Sequence, residues 1–324
     1  MAQILGISFA SGLNLYATVA ALGIAARIGI ADLPPGLVGL DSLIVLGSAL
    51  ALFIVEAVVD KIRHADSLWD AIHTFVRPPA AALLTVGILW GSPPLVLAAG
   101  AVAAFTVALA AHAAKAGLRL SLNTRHRDRP TTWISIAEDI AAATLAAAAV
   151  SFPPGALIAG IIALLAVMAT GPRLWRAFTL GIRCLASAIR AFFGTGTWKD
   201  EPDLPRRVRT GIDRAPMGSA PPRGARAAMH GARGVGAYRS GWLLITAFGP
   251  IFSYRTLLGR RHMRIPPVDS ITVEGGAWAD LLQLKNGKES LTLFVLRDGP
   301  PAELAATEIQ SSSQLVDATS RPQT

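Results

Sequence analysis

Leu33-Pro34-Pro35-Gly36, Ser92-Pro93-Pro94-Leu95 and Phe152-Pro153-Pro154-Gly155 set a Pro-Pro pair between long apolar runs at steps of 59 and 60 residues. Proline removes a backbone donor and stops a helix, so each pair marks the turn of a helical hairpin. Three such hairpins predict an α-helical polytopic membrane bundle of six helices. The apolar runs cover roughly 4–28, 38–60, 68–91, 95–117, 133–152 and 155–171, each near the ~20 residues that cross a bilayer. A further pair, Pro78-Pro79, falls off this period and is expected to break the third helix. Because Pro78–Trp90 alone is too short to cross, that span must include His73 and Arg77.

Composition agrees with this class. Hydrophobic residues make up 52%, charged residues 16%, and the mean hydropathy is +0.47, which excludes an ordinary soluble domain. A lone Cys184 precludes an internal disulfide, and there is no Cys-His cluster of the structural-zinc kind. The first apolar stretch has no basic leader or small-residue cleavage site, so it reads as a retained helix. No nucleophile elbow, phosphate-binding loop or dinucleotide fingerprint is present, so neither an enzyme nor a cofactor is expected.

The net charge of +9 is localised. Residues 1–171 hold nine Lys/Arg and nine Asp/Glu, and residues 240–324 are also balanced, whereas residues 172–239 hold 13 basic and four acidic residues. An excess placed next to a last membrane helix points to anionic lipid head groups and not to nucleic acid. The Pro-Pro loops are nearly uncharged, while the opposite loops carry Lys61, Arg63, Arg77, Lys115, Arg119, Arg125, Arg127 and Arg129. By the positive-inside rule both termini are cytoplasmic, in the inner membrane.

Residues 1–171 thus form the membrane domain. Over 172–194, Arg173, Arg176, Arg183 and Arg190 interleave with Leu174, Phe178, Ile182, Leu185, Ile189 and Phe192. That spacing suits a basic amphipathic helix on the inner leaflet, and equally an extension of the sixth helix. Residues 195–239, rich in Gly, Pro and Arg without periodicity, are expected to be a flexible linker. Short strand-like runs at 241–246, 251–257, 262–265, 270–274, 281–285 and 291–297 then predict a β domain over 240–312, closed by a helix at 301–310. Residues 313–324 are expected to be a disordered tail.

Ionisable residues inside apolar helices are costly and face a bundle interior, so they form the candidate site. Glu56 and Asp60 share one face of the second helix, and His112, Lys115 and Arg119 share one face of the fourth. Asp66, Asp70, His73 and Arg77 make a stripe on the third, with Glu138 and Asp139 on the fifth and Asn14, between Ser11 and Thr18, on the first. These residues are expected to line a cytoplasm-facing cavity or ion relay, or else to form a ring of ion pairs near the interface. A metal site at Glu56, Asp60 and His64 is a lesser alternative.

Two resemblances refine this. Val59-Asp60-Lys61-Ile62, Asp66-Ser67-Leu68-Trp69-Asp70-Ala71-Ile72-His73-Thr74-Phe75-Val76-Arg77-Pro78 and Gly12-Leu13-Asn14-Leu15-Tyr16 resemble a bacterial multi-pass membrane family catalogued as domain of unknown function 4126. Ala111-His112-Ala113-Ala114-Lys115-Ala116-Gly117 and Ser135-Ile136-Ala137-Glu138-Asp139 extend it to about residues 1–170, although the loop 124–132 departs from the family pattern. The resemblance implies a topology and no activity. Gly241–Thr246, Ile251–Arg255, Arg264-Ile265-Pro266 and Asp269–Val273 are similar to bacterial pleckstrin-homology-like domains, which implies a partly open β-barrel capped by a helix. The functional expectation is a transporter or channel for a small solute or ion. The alternative is a membrane anchor whose β domain binds a protein or lipid, and an intramembrane metalloenzyme is a third reading.

Overall fold

The computed structural model describes residues 2–60, 62, 65–125, 132–194, 196–209, 220–276, 278–287 and 289–320. The chain divides into two compact units, Met1–Phe178 and Thr179–Thr324.

In the first unit, α1 (Ala2–Leu13) and α2 (Leu15–Arg27) meet at Asn14, and a 3-10 turn over Pro35–Asp41 leads into α3 (Leu43–Val59). Helices α4 (Ala65–Ile88), α5 (Pro94–Arg125), α6 (Thr132–Ser151) and α7 (Pro153–Phe192) follow. The three Pro-Pro pairs do fall at turns. Pro94 and Pro153 are also the first residues of α5 and α7, where a missing donor costs nothing and the fixed φ suits a helix.

Among the described residues, four helices and not six, Leu68–Ile88, Pro94–Ser121, Trp133–Ser151 and Pro153–Phe192, are each long and apolar enough to cross a membrane. The 3-10 turn and α3, bent by 69°, make at most a fifth, while α1 and α2 are two shorter apolar helices. The expected break at Pro78-Pro79 is absent, because α4 runs through both prolines. The pair removes two helical donors from the helix interior, with 13 residues of α4 before it, and packing of α4 on α5 and α1 holds the segment helical nonetheless.

Small residues make the helices' inner contacts, with Ala10, Ala142, Ala146, Ala149 and Ala156 buried beside Ile7, Leu22 and Leu84. Such residues let helix backbones approach closely in lipid. A Cβ at Gly12 would collide with the Ala108 carbonyl of α5, so only glycine fits there. Large apolar side chains such as Ile44, Phe75, Leu83 and Leu95 point outward.

Helix α7 has 40 residues, about 60 Å at 1.5 Å each and roughly twice the hydrocarbon thickness. The basic segment 172–194 therefore lengthens the sixth helix instead of forming a separate one. It includes Pro172 without a break.

The second unit contains β1 (Lys199–Asp200), α8 (Arg206–Arg209), β2 (Arg223–His230), β3 (Arg239–Thr246), β4 (Gly249–Thr256), β5 (Gly259–Arg264), β6 (Ser270–Glu274), β7 (Ala279–Asn286), β8 (Glu289–Leu296) and α9 (Ala302–Ser320). The sheet order is β5-β4-β3-β2-β8-β7-β6, with β1 added on β2 and every pairing antiparallel. Helix α9 closes a core of Met229, Leu243, Phe252, Leu282, Leu284 and Leu293 with Ala302, Ala305 and Ile309. On the other sheet face, Leu204 and Val208 pack on Trp242, Leu244 and Ile251. An antiparallel sheet closed by a C-terminal helix is consistent with a pleckstrin-homology-like domain.

Two boundaries need correction. The expected linker 195–239 contains β2, a strand paired on both sides with a buried Ala227-Ala228-Met229 stretch. The expected disordered tail begins inside α9, which continues to Ser320.

Candidate functional site

The site starts from one extended residue. Asn14 has φ −149° and ψ 107°, and its side chain caps α2 by accepting from the Ala17 amide at 2.9 Å. In an unbroken helix that amide would bond to the Leu13 carbonyl. The freed Leu13 carbonyl accepts from Lys115 Nζ at 2.8 Å, and the Gly12 carbonyl from Arg77 Nη1 at 3.3 Å. Asn14 Nδ2 donates to Asp139 Oδ1 at 2.8 Å. A break in the first apolar stretch thus aims the carbonyl end of α1 at two cations, as the negative end of a helix dipole favours. Backbone polarity exposed by a broken helix is present, but at Asn14 and not at Pro78-Pro79.

The cations meet carboxylates at short range. Arg77 Nη2 donates to Glu56 Oε1 at 2.5 Å, and Lys115 Nζ lies 3.2 Å from the same oxygen. Exposure of these side chains is 0% for Arg77, 0% for Lys115 and 1% for Glu56. Arg119 grips Asp60 with both nitrogens, at 2.7 and 2.6 Å, the paired geometry that favours arginine over lysine. Arg119 also reaches Glu138 at 3.2 Å and Asp70 at 3.7 Å, and Lys115 reaches Glu138 at 3.7 Å. Ser135 donates to Asp60 Oδ2 at 2.8 Å.

The histidines are oriented by neighbours with fixed roles. Arg77 Nη1 can only donate, so His112 Nδ1, 3.1 Å away, accepts and the ring proton sits on Nε2. That nitrogen donates to the Asp70 carbonyl at 2.9 Å, with Thr74 Oγ1 at 3.1 Å. His73 Nδ1 donates to the Trp69 carbonyl at 2.8 Å, and Tyr16 Oη completes the ring at Nε2, 2.9 Å away.

Of the residues singled out in the sequence, Glu56, Asp60, Asp70, Arg77, His112, Lys115, Arg119 and Glu138 join one network. Asn14 pairs with Asp139 beside it. His73 instead turns to Tyr16 and Trp69. The side chains of Asp66 and His64 lie outside the described residues, as does most of loop 124–132. Ser11 and Thr18 do not extend the lining, because each hydroxyl donates to its own helix, to the Ile7 and Asn14 carbonyls. Among the described residues, no group of three His, Cys, Asp or Glu is placed to share a metal ion. Sequence reading missed Ser135, Tyr16, Thr74 and the Gly12 and Leu13 carbonyls. Gly-Leu-Asn within an apolar run was the available signal, since Asn favours a helix N-cap.

One feature of the network is left open. Glu56 Oε1 has two cationic neighbours, whereas Glu56 Oε2, Asp70 Oδ1 and Arg77 Nε are buried with no hydrogen-bond partner among the described residues.

The basic stripe of α7 is dispersed. Arg173 and Arg183 are exposed, Arg176 Nε donates to the Pro172 carbonyl at 2.8 Å, and Arg190 Nε pairs with Asp298 Oδ2 at 2.8 Å. Asp298 also accepts from Ser187 Oγ at 2.6 Å and returns a bond from its own amide at 2.9 Å.

No curated protein matches this chain, and no solved structure does. A family model does match, over residues 1–173, and its stretch contains every member of the buried network from Asn14 to Asp139. The chain therefore belongs to the family described as Domain of unknown function (DUF4126), to which that description assigns no activity.

Proposed function

We propose that the helical unit moves a small ion or solute across the membrane, with the Glu56-centred network as its relay. The observation that carries this reading is Glu56 itself. It is a fully buried carboxylate whose Oε1 holds Arg77 and Lys115 while its Oε2 has no hydrogen-bond partner among the described residues. Binding a proton at Oε2 would neutralise the one group that compensates both cations at once. Buried cations that lose their shared carboxylate are costly, Arg77 more than Lys115, which keeps Glu138 at 3.7 Å, so the closed arrangement would give way to one in which they reach water or an anionic solute. In this reading the polar cavity opens by separating side chains that are now in direct contact. Broken helices with carbonyl ends aimed at charged groups are a recurring feature of transporters, which adds support from Asn14.

The same reading takes α1 with α2 as one crossing and the bent 3-10 turn with α3 as another, giving six. It places both termini on the cytoplasmic side of the inner membrane, with the C-terminal unit as a pleckstrin-homology-like domain. A second reading, a non-transporting anchor, is favoured by the directness of the ion pairs, which would staple α3, α4, α5 and α6 together.

Flux in proteoliposomes separates the two. Under a pH gradient, with a panel of small ions and solutes, the wild-type protein should conduct or exchange at least one. Glu56→Gln, which mimics the protonated carboxyl, should abolish coupling to the gradient. Flux unchanged by both Glu56→Gln and Arg77→Gln would remove the relay, and an inert wild-type protein across the panel would leave the anchor.

A further inference from the structure

The hairpin between β4 and β5 ends in Leu257 and Leu258, which are 106% and 93% exposed. Among the described residues, none covers these two adjacent leucines. Thr256 and Gly259 are register partners, so the leucines form the whole two-residue tip. The Thr256 hydroxyl donates to the Gly259 carbonyl at 3.0 Å, and Gly259 takes φ +130°, a value open to glycine. The tip is therefore built to project and not simply frayed.

The strands behind the tip are basic. Arg255 and Arg260 are direct cross-strand partners, and Tyr254 faces Arg261. Like charges opposite each other destabilise a sheet unless something negative lies against them. Arg239 joins this end by donating to the Arg255 carbonyl at 3.3 Å and stacking over Tyr254. Burial, then the charges of Arg255 and Arg207, push the Arg260 guanidinium below its usual range. Among the described residues, no carboxylate is paired with Arg255, Arg260 or Arg261. Exposed leucines followed at once by arginines match the two layers of a bilayer face, acyl chains below and anionic head groups above. A bilayer is also the surface this chain always has at hand, since it carries four helices able to cross one.

We propose that the β4–β5 hairpin is a membrane-docking finger. Leu257 and Leu258 enter the acyl boundary of an anionic leaflet, and Arg255, Arg260 and Arg261 contact the head groups. This does not depend on the transport reading or on the arginines of α7. It gives the β unit a contact of its own with the membrane.

The test uses the full chain in nanodiscs of phosphatidylcholine alone or of equal parts phosphatidylcholine and phosphatidylglycerol. An environment-sensitive dye attached at Leu258→Cys should shift to the blue in the anionic discs and be quenched by spin-labelled lipid. The docked-to-free ratio should fall about tenfold when Leu257→Ser is added, the loss expected for one leucine returned to water. Arg255→Gln with Arg261→Gln should lower the ratio and weaken its salt dependence, Arg260 remaining. Hydrogen exchange at Thr256–Gly259 in the unsubstituted protein should slow in anionic discs only, so the outcome does not rest on the labelled variant folding. A water-like dye in both discs, or equal docking to both, overturns the proposal. So does a buried, unquenched dye accompanied by crosslinking between copies, which would assign the tip to a second protein.

Discussion

Residues Met1–Phe178 bury Arg77, Lys115 and Glu56 while Ile44, Leu83 and Leu95 face outward, whereas the β unit buries Leu243, Phe252 and Leu282 and keeps most of its arginines on the surface. The reversal follows from the solvent each unit meets. In a bilayer, outward apolar side chains need no further burial, so the hydrophobic effect does not choose among inward arrangements. Specificity in the helical unit must then come from close approach at small residues and from polar pairs. In the β unit the sheet and α9 exclude water from an apolar core in the ordinary way, and charge is a surface matter. Stability of the first unit should therefore depend on pairing, and that of the second on packing.

The sharpest way to break this comparison is to remove one partner of the buried network. Arg77→Gln leaves Glu56 with Lys115 alone and takes a donor from the Gly12 carbonyl and His112. A loss of about 3–5 kcal/mol is expected, the range for breaking a buried pair. The double variant Arg77→Gln with Glu56→Gln should lose markedly less than the sum of the two single variants, read by unfolding in detergent as a double-mutant cycle. Additive and mild effects would mean that the charges are independent and the comparison fails.

A packing substitution in the β unit should be next in size. Leu243→Ala deletes a side chain that is 1% exposed between Phe252 and α9, with an expected loss of about 3 kcal/mol. This loss should be nearly independent of salt, because no charge is exposed or created. A strong salt dependence would show that the β unit also relies on its surface arginines.

Asn14→Ala tests the hinge of the network. It removes the cap on the Ala17 amide and the donor to Asp139 together, and a lost cap typically costs about 1 kcal/mol. Because Leu13 O is free for Lys115 only while Ala17 is capped by Asn14, the variant should also weaken the Lys115 contact. Isotope-edited infrared bands of the Leu13 carbonyl report this directly, and an unshifted band would separate the cap from the network.

What the sequence makes legible differs between the units for the same reason. Strands β3, β4, β6, β7 and β8 lie within a few residues of their expected runs, because alternating or β-branched stretches bounded by turn residues record one-sided burial. Strand β2 is not visible in this way. Arg223-Gly-Ala-Arg-Ala-Ala-Met-His230 is built from small and basic residues of poor strand propensity, and pairing with both β3 and β8 imposes the strand on it. In the helical unit, helical spacing brings the charged residues onto the right faces, so most of the network can be read in advance. Its hinge cannot be read from hydropathy, since Pro78-Pro79 is the stronger local breaker and yet α4 continues through it. Asn14 breaks the helix only because its side chain caps α2 and reaches Asp139, a partner 125 residues away.

The smallest effect lies where a charge pair does contribute to the β unit. Burial disfavours the Asp298 carboxylate, but hydrogen bonds from Ser187 and Arg190 and the nearby charges of Arg190 and Arg226 outweigh it and hold its carboxyl below the usual range. A depressed folded value means that the contribution is present above the unfolded carboxyl value of about 3.9 and is lost as pH falls through the lower folded one. Arg190 is 48% exposed and Asp298 20%, so water and salt screen the pair and its worth should stay within about 1 kcal/mol. Asp298→Asn should accordingly lower stability slightly at neutral pH and flatten the acid limb of the β unit's unfolding curve. Ser187→Ala should flatten it less, because Arg190 remains. If both variants keep the wild-type acid limb, the end of α7 is held to the β8–α9 turn by packing alone, and the contrast between a paired helical unit and a packed β unit becomes complete.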